Sequence, residues 1–212
     1  MQRFTLLVLW IAALNPGLAG GEGEALEIHA LIRERHMPYA MVIDPVYRSA
    51  DSDEIVSYTR CGDSAIWTGH YAAAEAYRWA VTRAPEARAN LMEALNGIRK
   101  LVDVTGTDVL ARCAIPVDSP YAADVTGEES IHGIRQGLVD GIPHYWAGNT
   151  SRDQYSGVFF GLTVAWNLVQ DQEVHDWVSM LATRMLNRLL EDTWMVRMPE
   201  GEISTNFIGR AD

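Results

Sequence analysis

Residues 64–83 read SAIWTGHYAAAEAYRWAVTR and residues 151–169 read SRDQYSGVFFGLTVAWNLV. These two stretches decide the expected fold. In the first, Gly62, Asp63 and Ser64 supply helix-capping chemistry, and Ala, Trp and Tyr crowd the turns from Ala65 to Arg83; a cap followed by an unbroken run of this kind marks an α-helix. So many small side chains predict close neighbours on several sides. In the second stretch hardly a charge follows Asp153, which predicts a helix buried on nearly all sides. An offset of 88 places Trp67, Thr68 and Gly69 on Tyr155, Ser156 and Gly157, and Ala73 and Ala74 on Gly161 and Leu162. An aromatic, a small hydroxyl and a glycine at the same point of two helices is the self-similarity of a repeat architecture.

Each stretch has a partner. Ala84 and Pro85 interrupt the chain, a proline is tolerated in a first helical turn, and Glu86 to Val104 continues as an amphipathic helix with Gly106 as its stop. After Gln170, Asp171 and Gln172, residues 173–191 carry Asp176, Arg184, Arg188 and Glu191 on one side, as an outer helix would. Upstream, Leu26, Ala30 and Leu31 predict an amphipathic helix over Glu24 to Met37, ended by Pro38. Tyr39 to Tyr47 is expected to be extended or irregular, and Ser49 to Ser57 a polar connector. From Thr107 to Thr150 helical periodicity disappears, yet Tyr121, Ile131, Leu138 and Trp146 predict an ordered loop lying over the body rather than a linker. The tail from Met195 is expected to be irregular, with a short hairpin at Gly201. The expected fold class is all-α, with repeated α-hairpins forming an arc: residues 1–19 a signal peptide, 20–60 an N-terminal helix and connector, 61–212 the helical-hairpin domain.

The amino terminus carries Arg3, an apolar run from Phe4 to Leu14, and small residues Gly17 and Ala19, the pattern of a secretory signal peptide cut after Ala19. The run is too short to span a bilayer comfortably, so a secreted or periplasmic protein, free of the membrane after cleavage, is expected. Over the whole chain 28 acidic side chains face 17 Lys and Arg, a net charge of −11. That balance argues against nucleic acid as a partner, because binding it requires a basic patch that neutralises phosphates. Cys61 and Cys113 are the two cysteines. In an oxidising compartment an even pair is compatible with one disulfide; two buried thiols are the alternative. No CxxC or His/Cys cluster suggests a metal, and with no P-loop, no dinucleotide fingerprint and no HExxH, no cofactor is expected.

A polar-capped inner helix followed by an amphipathic outer helix, repeated, resembles the α/α toroid, the six-hairpin glycosidase-like superfamily. The resemblance covers roughly residues 58–192, with Trp67-Thr68-Gly69-His70-Tyr71 and Ser151-Arg152-Asp153-Gln154-Tyr155-Ser156-Gly157 as its sharpest residues. A full ring needs about twelve helices, so the resemblance implies a fragment, or an arc that forms a homo-oligomer if the chain is complete. It also implies a substrate pocket among the N-termini of the inner helices and the loops feeding them. Carried over residue by residue, that places Asp63, Trp67, His70, Ser151, Arg152, Asp153 and Tyr155 around one mouth, with His144, Trp146 and Asn149 above.

Each group has a chemical use there and a plainer alternative. Asp63 and Asp153 are the candidate acid/base carboxylates, although an Asp near a helix start also serves as a cap. Arg152 is suited to clamping a substrate carboxylate, or to pairing with a neighbouring acid. Trp67, Trp146 and Tyr155 offer flat platforms for sugar rings, though aromatics at helical spacing belong more often to the core. His70 and His144 are candidates for acid or base work, although a lone His is usually just a hydrogen-bonded residue. Glu75, mid-helix in an apolar run, needs a partner if buried, and Arg78 is its natural one.

The leading expectation is an exported carbohydrate-active enzyme, glycoside hydrolase-like, using Asp acid/base catalysis on a saccharide or other small-molecule substrate. One alternative is a non-enzymatic saccharide- or protein-binding helical array. Another is a toroid lyase, isomerase or dehydratase acting on a small molecule, in which His70, Tyr71 or the cysteines would matter more.

Overall fold

A computed structural model describes residues 18–207 of the chain. In chain order the elements are α1 (Leu18–Leu31, continued by a π-helical turn, Ile32–His36), β1 (Asp44–Tyr47), β2 (Ile55–Thr59), α2 (Ser64–Thr82), α3 (Pro85–Asp103), β3 (Cys113–Pro116), α4 (Ala122–Glu128), β4 (Ile134–Val139), β5 (Ile142–Ala147), α5 (Arg152–Leu168), α6 (Gln172–Glu191), β6 (Met195–Arg197) and β7 (Ile203–Asn206). The signal-peptide reading concerns residues 1–19, almost all of which lie outside the described residues.

α2 and α5 lie side by side and parallel. Their first turns are tied by Gln154 Nε2 donating to Asp63 Oδ1 at 3.1 Å, and further along glycines let the two backbones meet. A Cβ on Gly69 would lie 2.2 Å from the Gly157 carbonyl oxygen, and one on Gly161 would lie 2.2 Å from that of Gly69. Behind this pair pack α3 and α6, linked at their starts by Arg88 to Asp171 (2.8 Å) and further on by Arg184 to Asp103 (2.7 Å). The amphipathic faces of α3 and α6 bury Leu91, Leu95, Ile98, Leu181, Met185 and Leu189 against Tyr155, Val158 and Leu162, and removing that apolar surface from water is the main force holding the layers. Met37 and Met41 join the same core, so residues 20–60 are not independent of the rest.

The all-α expectation, and with it the α/α toroid resemblance, is overturned. Among the described residues there are three antiparallel sheets: β1-β2, β3-β5-β4 and β6-β7. The stretch expected to be an irregular loop, residues 107–150, folds into β3, α4, β4 and β5. Its key is Asp140-Gly141, both with positive φ (52° and 81°), which reverses the chain so that Val139 pairs with Ile142; this is the two-residue turn that matches the natural twist of a hairpin. Likewise β1 and β2 occupy what reads as irregular chain and connector, with Pro45 at the edge of a two-stranded sheet where its missing N–H costs nothing. The ends of β2 and β5, the starts of α2 and α5, and the ends of α3 and α6 are each 88 residues apart. What recurs is a β-hairpin followed by two helices, a mixed α/β unit and not a bare α-hairpin.

Candidate functional site

The first turns of α2 and the N-terminal half of α5 open onto a cleft of 660 Å³ lined by Ile66 and His70 from α2, Ser151 just before α5, Arg152, Asp153, Ser156, Gly157 and Phe160 along it, and Thr205 from β7. Spacing on α5 explains the lining: positions 153, 156, 157 and 160 fall on one face of a helix. Phe160 is 43% exposed and Trp166 45% exposed. This corrects the expectation of a helix buried all round: α5 is apolar on a face that solvent reaches.

Three charged or titratable groups share the cleft. Arg152 is exposed and, among the described residues, no carboxylate lies within ion-pair distance of it. Beside it, the Ser151 hydroxyl holds the Asp153 carboxyl below the usual carboxylate range, helped against desolvation by the backbone N–H groups of Asp153 and Gln154. Asp153 is therefore an ionised carboxylate at neutral pH, a proton acceptor and not a proton donor. His70 binds its own helix, Nδ1 sitting 2.9 Å from the Ile66 carbonyl oxygen. A carbonyl can only accept, so Nδ1 carries the proton and Nε2 is left for chemistry.

The remaining residues picked from the sequence divide sharply. Asp63, just before α2, is half exposed, accepting from Gln154 and lying 3.8 Å from Arg112; it does not line the cleft and its side chain does not cap α2. Trp67 is half exposed and near the cleft, its ring 5.9 Å from that of His70, but it does not line it. Tyr155 is wholly buried, its hydroxyl accepting from the Leu110 N–H at 3.1 Å. Trp146 is 2% exposed in β5 and lies under the Arg135 guanidinium, 5.2 Å away. His144, also buried in β5, bonds the Ile142 carbonyl. Asn149 turns the chain with φ of 48° and offers its carbonyl to Arg112. These last four shape the fold, and none reaches the cleft.

Arg112 ties the approaches to both helices. Its guanidinium donates to the Asn149 and Gly62 carbonyls and to the Ser151 hydroxyl, so it locks together the chain segments entering α2 and α5. Next to it Glu129 is buried, and that burial pushes its carboxyl up against the pull of the Gly62 N–H. His132 lies 3.6 Å away, and burial pushes its imidazole down. Neither lines the cleft. Sequence reasoning passed over Phe160, Ser156, Arg112 and Glu129. The i, i+3, i+4, i+7 spacing from Asp153 was the available signal for the first two, whereas nothing local points to Arg112 or Glu129.

Cys61 and Cys113 are buried free thiols in one small apolar cluster with Ile43, Tyr58, Ile115 and Val125. Burial pushes both thiols up, Cys113 to about 12, which leaves them unsuited to act as nucleophiles. Among the described residues no group of His, Cys, Asp and Glu is arranged to hold a metal, and no helix is long and apolar enough to cross a membrane. No protein-family model, curated protein or solved structure matches the chain, so the functional reading rests on the site alone.

Proposed function

We propose that this is an exported carbohydrate-active enzyme that takes an acidic sugar unit in the cleft between the starts of α2 and α5. The observation that carries the reading is the pairing of a guanidinium with no ion-pair partner among the described residues, Arg152, with the half-exposed ring of Phe160 and an ionised carboxylate, Asp153, in one open cleft. A guanidinium fork recognises a planar carboxylate through two parallel hydrogen bonds, and an aromatic face takes the apolar side of a sugar ring. In glycosidic hydrolysis Asp153 accepts the proton of the attacking water, while protonated His70 Nε2 gives a proton to the leaving glycosidic oxygen. Export belongs to this reading through the pattern of residues 1–19.

Calorimetric titration with galacturonic acid tests the binding half. Binding that Arg152→Ala weakens at least about tenfold supports it, since a charge-assisted pair is worth about 1.5–3 kcal/mol; equal affinity for galactose overturns it. Release of sugar from uronate-containing oligosaccharides, lost in Asp153→Asn with binding retained, tests the catalytic half. A second reading, binding without turnover, draws support from the ionised state of Asp153 and from Glu129, the carboxyl raised by burial, lying outside the cleft. Binding with no product from any such substrate would decide for it.

A further inference from the structure

A second cleft, of 510 Å³, lies across the α2 ridge from the first and shares His70 with it. Its floor is apolar, from Ile32, Val42 and Ala74, and its polar end is built from Asp44, Arg60 and His36. Arg60 Nη2 sits 2.6 Å from Asp44 Oδ2, and His36 Nδ1 3.5 Å from Asp44 Oδ1. One contact to Asp44 leaves most of the Arg60 donors open to solvent, where the side chain is 73% exposed. Its backbone adopts φ of 51° where the chain turns from β2 into α2.

Between the two clefts runs a row of rings. Trp67, half exposed in the second cleft, lies 5.9 Å from His70, and His70 lies 5.2 Å from Phe160 in the first. Successive centroids are thus spaced close to the length of one pyranose unit, the rings tilted to one another by 53° and 41°, with Arg60 lining the second cleft and Arg152 the first.

Building on the uronate reading of the first cleft, we infer that the two clefts are adjacent subsites for one linear acidic oligosaccharide, which crosses the ridge over His70, stacks on Trp67 and places a second carboxylate on Arg60. The ligand class is a uronate oligomer of at least two units, and the linkage lying over His70 is the one exposed to its Nε2, the ring nitrogen not bonded to the Ile66 carbonyl.

The test is a chain-length series on the full protein: galacturonic acid and its α-1,4-linked dimer, trimer and tetramer, each titrated by calorimetry, with neutral malto-oligosaccharides of the same lengths as controls. Affinity is expected to rise about tenfold or more from monomer to trimer, the worth of one stacked ring or one charged contact. Trp67→Ala and Arg60→Ala, both at exposed positions, are each expected to remove most of that gain while monomer affinity stays at the wild-type value and the unfolding midpoint is retained. Monomer binding with no length gain, or a gain untouched by both variants, overturns the two-subsite inference and leaves the first-cleft reading standing. An equal gain for the neutral series overturns the acidic assignment of the second subsite. Absence of binding to every uronate overturns both.

Discussion

The Cβ that Gly69 lacks would lie 2.2 Å from the carbonyl oxygen of Gly157, so α2 and α5 touch backbone to backbone at the level of the cleft floor. Real Cβ atoms do not come so close to a main-chain oxygen. The same contact recurs one turn on, where Gly161 faces Gly69.

Gly69→Ala and Gly161→Ala are therefore expected to force the two helices apart and to destabilise the fold by about 1–3 kcal/mol, the usual cost of overpacking. The control is Gly127 in α4, where an added Cβ meets nothing within 4 Å: Gly127→Ala should stabilise by about 0.5–1 kcal/mol from helix propensity. Urea midpoints of the three variants decide the matter, and an unchanged midpoint in Gly69→Ala would sink the account of the interface.

Glu129 supplies a pH test. Its carboxyl is raised by burial, so the native state binds a proton more tightly than the unfolded chain does. The stability this contributes is fully present below the unfolded carboxylate pKa, about 4.3, and is lost as pH rises through the higher folded value. Glu129→Gln, which keeps an acceptor for the Gly62 N–H, is expected to be more stable than the parent at pH 7 and equal to it below about pH 4. Equal stability at both would refute the burial argument.

Asp153 behaves in the opposite sense. Held down by the Ser151 hydroxyl, it contributes stability above the ordinary Asp pKa of about 3.9, which disappears as pH falls through the lower folded value. Ser151→Ala should raise the Asp153 carboxyl, and a carboxylate-detected NMR titration reads the shift directly. In an assay for turnover, the acidic limb of the pH profile should move upward with it.

The cysteines give a chemical check on the core. Because burial raises both thiols, the folded protein should react with iodoacetamide at pH 8 at under about a tenth of the rate seen in denaturant. Fast native labelling that also abolished activity would favour a thiol-dependent small-molecule enzyme over the saccharide reading.

Features carried by residues close in the chain were legible before folding. Caps, breakers and apolar spacing bound α2, α3, α5 and α6 to within a few residues, and the internal offset of 88 set the two units over each other, because helix formation depends on contacts between residues three and four apart. Val139-Asp140-Gly141-Ile142 was equally local, and the hairpin there was legible from its turn; the scarcity of helical periodicity around it masked the signal. Which elements met across long separations was set by the packing of the whole chain. β3 pairs with β5 through Cys113 opposite Ala147, a partnership with no signature in either strand, and it drew Trp146 and His144 into the interior. The Leu110 N–H took the Tyr155 hydroxyl, which made a candidate sugar platform into core. The first cleft itself exists because Gly69, Gly157 and Gly161 bring two backbones into contact, setting Arg152 and Asp153 beside His70, and no pattern along one strand of sequence encodes that approach.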